Sequence, residues 1–213
     1  MIKLKNISKK FGKKLVLDSV NLEIKDCEKV LIVGQNGAGK STLLKVILGE
    51  LIPNNGDVLV NGFNPFNDRK NALKHLAFVP QLPPPLKLTL KEICYYAEVT
   101  SGVKMDEILR YTSYLHFDLK SEFKKPFYKL SGGMKQKFLI SLALARNSSV
   151  LIFDEPTANL DKNSREVFLN LLKNEFLNKT IINISHRLDE VRNFTTSLIE
   201  LDLGVIVKNE RVI

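Results

Sequence analysis

Lys40 and Ser41 close the stretch Gly34-Gln35-Asn36-Gly37-Ala38-Gly39-Lys40-Ser41, and their spacing from the glycines gives the chain its first chemistry. Glycines let the backbone curl with its N–H groups turned inward, where no Cβ blocks the approach of a phosphate. Val30-Leu31-Ile32-Val33, just before, has the length and β-branched content of a buried strand. The run from Ser41 to Leu48 is apolar on most of its faces and reads as a buried helix. Strand, glycine turn, helix is the context in which G-x-x-x-x-G-K-[ST] cradles phosphate. The helix start adds unsatisfied N–H groups and a positive dipole end. Lys40 is expected to reach the β- and γ-phosphates, and the Ser41 hydroxyl to ligate Mg²⁺. An incidental glycine turn is the plainer alternative, but it leaves four matched positions in the right context to chance.

Two further stretches bear on the same chemistry. Val150-Leu151-Ile152-Phe153 is an apolar strand that ends in Asp154 and Glu155. Asp154 is expected to hold the metal from the strand beside the phosphate loop, and Glu155 to polarise an attacking water. Leu130-Ser131-Gly132-Gly133-Met134-Lys135-Gln136 places a serine and two glycines directly before a long helix, again an anion-binding start. One chain thus carries two such helix starts, and one nucleotide does not easily sit at both.

With these motifs together, in this order, the sequence resembles the ATP-binding-cassette (ABC) family of ATPases along essentially its whole length. The resemblance implies an α/β fold: a P-loop NTPase core of the ABC ATPase type, with an antiparallel β subdomain and an inserted α-helical subdomain. It implies an ATP-binding set of Phe11, Gly34, Gln35, Asn36, Gly37, Ala38, Gly39, Lys40, Ser41 and Thr42. Phe11 matches the aromatic that stacks on adenine, and Gln81 the glutamine that contacts Mg²⁺ and the nucleophilic water. Metal ligands are then Ser41, Gln81 and Asp154, and the catalytic residues are Glu155, His186 and Gln81. Ser131, Gly132, Gly133 and Gln136 match the signature that touches the partner subunit's ATP. Asn159 and Asp161 match the loop that crosses the dimer interface, with Asp161 also suited to cap the helix that follows. Two copies are thereby expected to pack head to tail, as a homodimer or with a related subunit, around two ATP molecules. Transmembrane permease subunits are the implied partners, and the cytoplasmic face of the cell membrane is the implied location. Nucleic acid is not an expected partner.

The elements that must position these residues are legible in outline. Strands are expected at Ile2 to Ile7, Leu15 to Leu17, Val20 to Ile24, Val58 to Val60 and His75 to Val79. A basic turn, Lys9 to Lys14, holds Phe11. Pro83-Pro84-Pro85 stiffens the chain. Helical patterns follow from Leu90 to about Val99 and from Met105 to about Phe117. Helices are expected from Gly132 to Arg146, Ser164 to Leu177 and Leu188 to about Thr195, with a strand from Thr180 to Ile184. The tail reads as short strands with turns near Asp202-Leu203-Gly204 and Lys208-Asn209. The division expected is a single ATPase domain, 1–213: 1–80 and 131–213 form the β subdomain and core, about 82–130 the helical subdomain. The proline run lies where the family docks a permease's coupling helix, and no added regulatory domain is expected past His186.

Composition constrains the remainder. With 213 residues, 44% hydrophobic and 26% charged, the chain is long enough for one α/β domain with a sizeable core. No run approaches the apolar length that spans a bilayer, and the first residues alternate without a signal-peptide core. Cys27 and Cys94 form no metal-like pair and are expected to be packing residues, Cys27 standing where many relatives place glycine. The net charge of +9 is spread along the chain, as in a lysine-rich solvated surface. Competing readings are an ABC-type ATPase acting on the ribosome or nucleic acid and a small-molecule kinase. The kinase reading leaves Ser131 to Gln136 and His186 without purpose.

Overall fold

The computed structural model describes residues 1–185 and 194–212. In chain order its elements begin with β1 (Ile2–Phe11), β2 (Lys14–Ile24), β3 (Lys29–Val33), α1 (Lys40–Ile47), β4 (Asn55–Val60), α2 (Arg69–Leu73) and β5 (Leu76–Val79). There follow α3 (Leu90–Ser101), α4 (Met105–Tyr114), a 3-10 turn (Phe127–Lys129), α5 (Gly132–Ala145) and β6 (Val150–Asp154). The described chain closes with α6 (Lys162–Asn174), β7 (Thr180–Ile184), β8 (Ser197–Asp202) and β9 (Val205–Arg211). It divides into two compact units.

The first unit comprises Met1–Leu76, Ser149–Ile152 and Asn178–Ile213. Its antiparallel sheet has the order β2-β1-β4. The sequence pattern suggests two strands between Leu15 and Ile24, but β2 is continuous. Buried residues step from Leu17 to Val20 and from Leu4 to Ile7, three positions instead of two. The extra residues are absorbed where Asn6 (φ 52°) and Ser19 (φ 49°) turn left-handed and the pairing register shifts. The Asn21 amide exchanges two hydrogen bonds with Asn6, both 2.9 Å, so the bulge is stapled across the hairpin. Because pairing continues through the basic segment, the expected turn at Lys9 to Lys14 contracts and Phe11 ends a strand.

The second sheet has the order β5-β6-β7-β3-β8-β9. β3 runs parallel to both β7 and β8, and its residues from Lys29 to Ile32 are buried, as a two-sided strand requires. The sheet order corrects one expectation: β7 lies between β3 and β6, so the carboxylate strand does not adjoin the strand feeding the phosphate loop. Crossovers decide which parallel strands become neighbours, and the wholly buried β7 takes the place beside β3. A second correction concerns Lys208-Asn209, which pair with Glu200 and Ile199 inside β9 rather than turning. The ladder overrides their turn preference on an exposed strand. Most of the helix expected from Leu188 falls on residues 186–193, outside those described.

Cys27 is not a packing residue. Its side chain is exposed, its N–H donates to Thr180 Oγ1 at 2.9 Å, and its φ is 62°. The left-handed conformation costs an L-residue roughly 1–2 kcal/mol, against about 0.5–1 kcal/mol of extra chain entropy for glycine. Cys27→Gly is therefore expected to raise the thermal midpoint by about 2–3 °C. No rise in a melting experiment would mean that the thiol's 3.3 Å contact with the Asn178 carbonyl offsets the strain.

The second unit comprises Ala77–Ser148 and Phe153–Leu177. Its core packs Phe127 against Phe138 at a tilt (centroids 5.9 Å apart) and Phe153 edge-to-face with Phe168 (5.2 Å), all four fully buried. α3 begins at a capping box between Thr89 and Glu92, which fixes where the helix leaves the proline-rich segment. Cys94 packs inside this unit, and burial pushes its thiol pKa up to about 12.

Candidate functional site

The phosphate loop belongs to the first unit. α1 starts at Lys40 behind Gly39, which has φ 110°; no side chain caps the helix and no acidic residue occupies its first turn. A helix start so composed directs its N–H groups and dipole at an anion. Lys40 is largely buried and donates through Nζ to the carbonyls of Gly34 (2.6 Å) and Gln35 (3.0 Å), so its ammonium is folded back over the loop. Ser41 is exposed and Thr42 half-buried, while Gln35, Asn36 and Gly37 form the exposed rim. Ala38 is buried, and its N–H closes the turn onto Gln35 O at 3.1 Å.

The loop is braced by residues outside the motif. The Gly204 N–H in the β8–β9 turn donates to Ala38 O (3.0 Å), and Asp18 N–H donates to Gly204 O (2.9 Å). A Cβ at Gly39 would stand 2.8 Å from Val16 O, and one at Gly34 would overlap Leu201 O. Glycine is thus required here by neighbouring backbone. Phe11 is 50% exposed at the end of β1, with Lys9 Nζ 5.5 Å from its ring centroid. An open aromatic face beside a cation suits an aromatic base carrying negative phosphates.

The second unit holds the remaining described residues. Asp154 ends β6 and Glu155 follows it, each 9% exposed. Glu155 has φ 49°, a conformation that persists in a non-glycine residue only where its surroundings enforce it. Gln81 is exposed one residue beyond Pro80. Ser131 caps α5, its Oγ accepting from Met134 N–H at 3.3 Å, and again the first turn contains no acid. Ser131 and Gly132 are exposed and Gly133 is half-buried. Gln136 is 0% exposed, its amide inside the unit. Beyond its first turn α5 is covered around its circumference, burying Gln136, Phe138, Ile140 and Ser141 alike.

Asn159 is exposed, Leu160 is buried, and Asp161 caps α6 by accepting from Ser164 N–H (2.9 Å) and Ser164 Oγ (2.8 Å). Lys137 Nζ reaches Asp161 Oδ2 at 2.7 Å. That hydrogen bond, with those from Ser164, holds the Asp161 carboxyl well below the usual carboxylate range. His186 lies outside the described residues. Ser41, Asp154 and Gln81 offer only hard oxygen donors, and no group of three or more carboxylate, histidine or cysteine side chains gathers among the described residues. Oxygen donors of this kind suit Mg²⁺, which keeps waters and shares substrate phosphates.

A family model described as "ABC transporter" matches residues 17–158. The chain belongs to this family. The cassette is 34% identical over 210 residues to the energy-coupling factor transporter ATP-binding protein EcfA2 of Clostridioides difficile, covering 89% of this chain and 70% of that protein. It is 33% identical over 209 residues to the lactococcin-A transport/processing ATP-binding protein LcnC of Lactococcus lactis, covering 93% of this chain but spanning only 28% of LcnC. Among solved structures, the cassette MJ0796, described as a dimer in a post-hydrolysis state bound to ADP and Pi, superposes with a TM-score of 0.84. The two are 31% identical, covering 100% of this chain and 99% of that one. The cassette is an ATP-binding, ATP-hydrolysing α/β protein of the ABC type. No helix among its described residues is long and apolar enough to cross a membrane.

Motif reasoning missed the braces Val16, Leu201 and Gly204, which no local spacing betrays. It also missed Lys137, although Lys137 follows Gly133 by four residues and therefore shares its helix face.

Proposed function

We propose that this cassette powers a membrane transporter whose spanning subunits are separate chains, binding and splitting ATP between two copies packed head to tail. The observation carrying this reading is the second uncompensated helix start. Ser131 and Gly132 are exposed at α5's N-terminus, which has no acid in its first turn, and α1 likewise starts with no acid in its first turn, behind the exposed rim Gln35 to Gly37. In the proposed pair, the loop from Gly34 to Thr42 wraps the phosphates of one ATP and Phe11 stacks on its base. Ser131, Gly132 and Gly133 of the facing copy complete the γ-phosphate with charge-assisted hydrogen bonds. Glu155 polarises the attacking water, and Gln81 and His186 order it. Ser41, Asp154 and Gln81 would hold Mg²⁺, which would supply charge neutralisation on the phosphates. Gln136 supports α5 from inside. Loss of the γ-phosphate removes the shared contacts and the pair opens, a population shift driven by ligand.

The names of EcfA2 and LcnC support transport over work on the ribosome or nucleic acid. The solved MJ0796 dimer with ADP and Pi supports the paired arrangement. Residues from about 82 to 130 form the subdomain that meets the permease, on the cytoplasmic side of the membrane. Leu82, Leu88, Tyr95, Tyr96 and Val99 are each at least 46% exposed in this stretch, an apolar display unusual for a surface facing only water.

Mixing tests the pairing. Lys40→Ala disables a copy's own loop, and Ser131→Arg disables what it lends to its neighbour. Each alone is expected to lose turnover by about 100-fold or more. A mixture contains pairs with one intact composite site, so turnover should recover to about a quarter of wild type. A mixture no more active than its components overturns the head-to-tail reading.

A further inference from the structure

We propose that Lys137 is a positioning residue of the ATPase, tying the loop Asn159–Asp161 to the start of α5 so that loop and signature helix act as one rigid edge. What that edge touches rests on the head-to-tail reading; that it is rigid rests on contacts within this unit.

Three contacts make the tie. Lys137 Nζ lies 2.7 Å from Asp161 Oδ2, at the C-terminal end of the loop. At the other end, a Cβ added to Gly133 would stand 3.0 Å from Asn159 O, and one added to Gly132 would be 3.9 Å from the Asn159 side chain. The loop backbone therefore rests directly on the first turn of α5. Between the two ends Leu160 is 5% exposed and anchored in the unit. Gly133 and Lys137, four residues apart, form one face of the helix, and the whole loop lies along it.

Helix capping does not account for Lys137. Asp161 already satisfies α6 through Ser164 N–H and Ser164 Oγ, so the cap is complete without an ammonium. Nor is Lys137 an ordinary surface lysine: its side chain is 12% exposed, whereas Asp161's is 55% exposed. Lysines are seldom so covered unless a partner holds them. An ion pair with one well-hydrated member adds little to global stability, so its removal should show in geometry before it shows in folding. The exposed groups on this edge are Ser131, Gly132, Asn159 and the outer side of Asp161, the polar atoms of both interface motifs. If α5 shifts when a ligand engages Ser131, the loop must travel with it.

The test is a double-mutant cycle on Lys137→Met and Asp161→Asn, with Lys137→Arg as the conservative rescue. Lys137→Met is expected to lower kcat for ATP by about 10-fold, because sub-ångström misplacement of reacting groups costs rate steeply. KM should stay within about 2-fold, as binding to the phosphate loop is untouched, and the thermal midpoint within about 3 °C. Lys137→Arg should regain most of the loss. In the Asp161→Asn background Lys137→Met should cost less than about 2-fold more, since the contact is already gone. Wild-type turnover by Lys137→Met overturns the proposal. So do independent, multiplicative effects of the two substitutions, or a fall in kcat matched by a large fall in midpoint that arginine does not restore. ATP-dependent association in a Glu155→Gln background separates this from the pairing reading. If Glu155→Gln alone stays monomeric, the pairing falls, while the cycle still decides the tie on turnover.

Discussion

Glu155→Gln is expected to reduce ATP turnover by about 100-fold or more, the contribution of a positioned general base, while ATP remains bound. Glutamine keeps the size of the side chain and its hydrogen-bonding reach but cannot take a proton from water. It also tolerates the left-handed backbone at this position no worse than glutamate, so the φ of 49° gives no reason for misfolding. The groups assigned to phosphate, Lys40 and the N–H groups of α1's start, are unchanged, and affinity for ATP should stay within about 3-fold of wild type. With hydrolysis blocked, the γ-phosphate persists and the proposed closed pair accumulates. Sedimentation or light scattering should show dimers in Mg-ATP and monomers in ADP. Turnover above about a tenth of wild type would place the base elsewhere, since losing a base costs about 100-fold at least. Turnover lost together with ATP binding would make Glu155 a structural residue of the β6 terminus.

The chemistry of this chain was legible where it depends on local spacing. Gly34 to Ser41 leads from an apolar run into a helix, and Ser131 to Gly133 open a helix with no acid in its first turn. In both cases the helix start is fixed by residues a few positions apart, so sequence suffices. The main elements followed from period alone; the two-position step in β1 and β2 broke at Asn6 and Ser19 because a stapled bulge absorbed one residue in each strand. What stayed hidden depends on partners far along the chain. β7 beside β3 is a matter of crossover, and β9 through Lys208-Asn209 is held by pairing with β8. Cys27 reads as a small core residue by type, yet it occupies a left-handed turn set by Thr180, 153 positions away. Gln136 reads as part of a ligand-binding motif, and only the packing of α5 shows it turned inward.

The second large effect follows from one of those distant partners. Gly34→Ala is expected to damage folding and nucleotide binding together, unlike most phosphate-loop substitutions. Its Cβ would overlap the carbonyl oxygen of Leu201 and stand 3.2 Å from that carbonyl's carbon and 3.3 Å from Ala38 Cβ. Leu201 belongs to β8, paired with β9, and cannot retreat without opening that ladder. The φ of 148° at Gly34 adds backbone strain, at about 1–3 kcal/mol, to an overpacking cost of about 1–3 kcal/mol. Against a total stability of about 5–15 kcal/mol, the sum should lower the thermal midpoint by about 5–20 °C. The loop that receives Lys40 Nζ on Gly34 O is displaced in the same step, so ATP affinity should fall by about 10-fold or more. Gly37→Ala is the matched control: its φ is 86°, but nothing stands within 4 Å of the added Cβ. It bears only the conformational cost, roughly 1–2 kcal/mol, and its midpoint should fall by no more than about 2–8 °C. Melting curves that rank the two substitutions equally would show that Leu201 yields, and that the β8–β9 hairpin is not what holds the phosphate loop in shape.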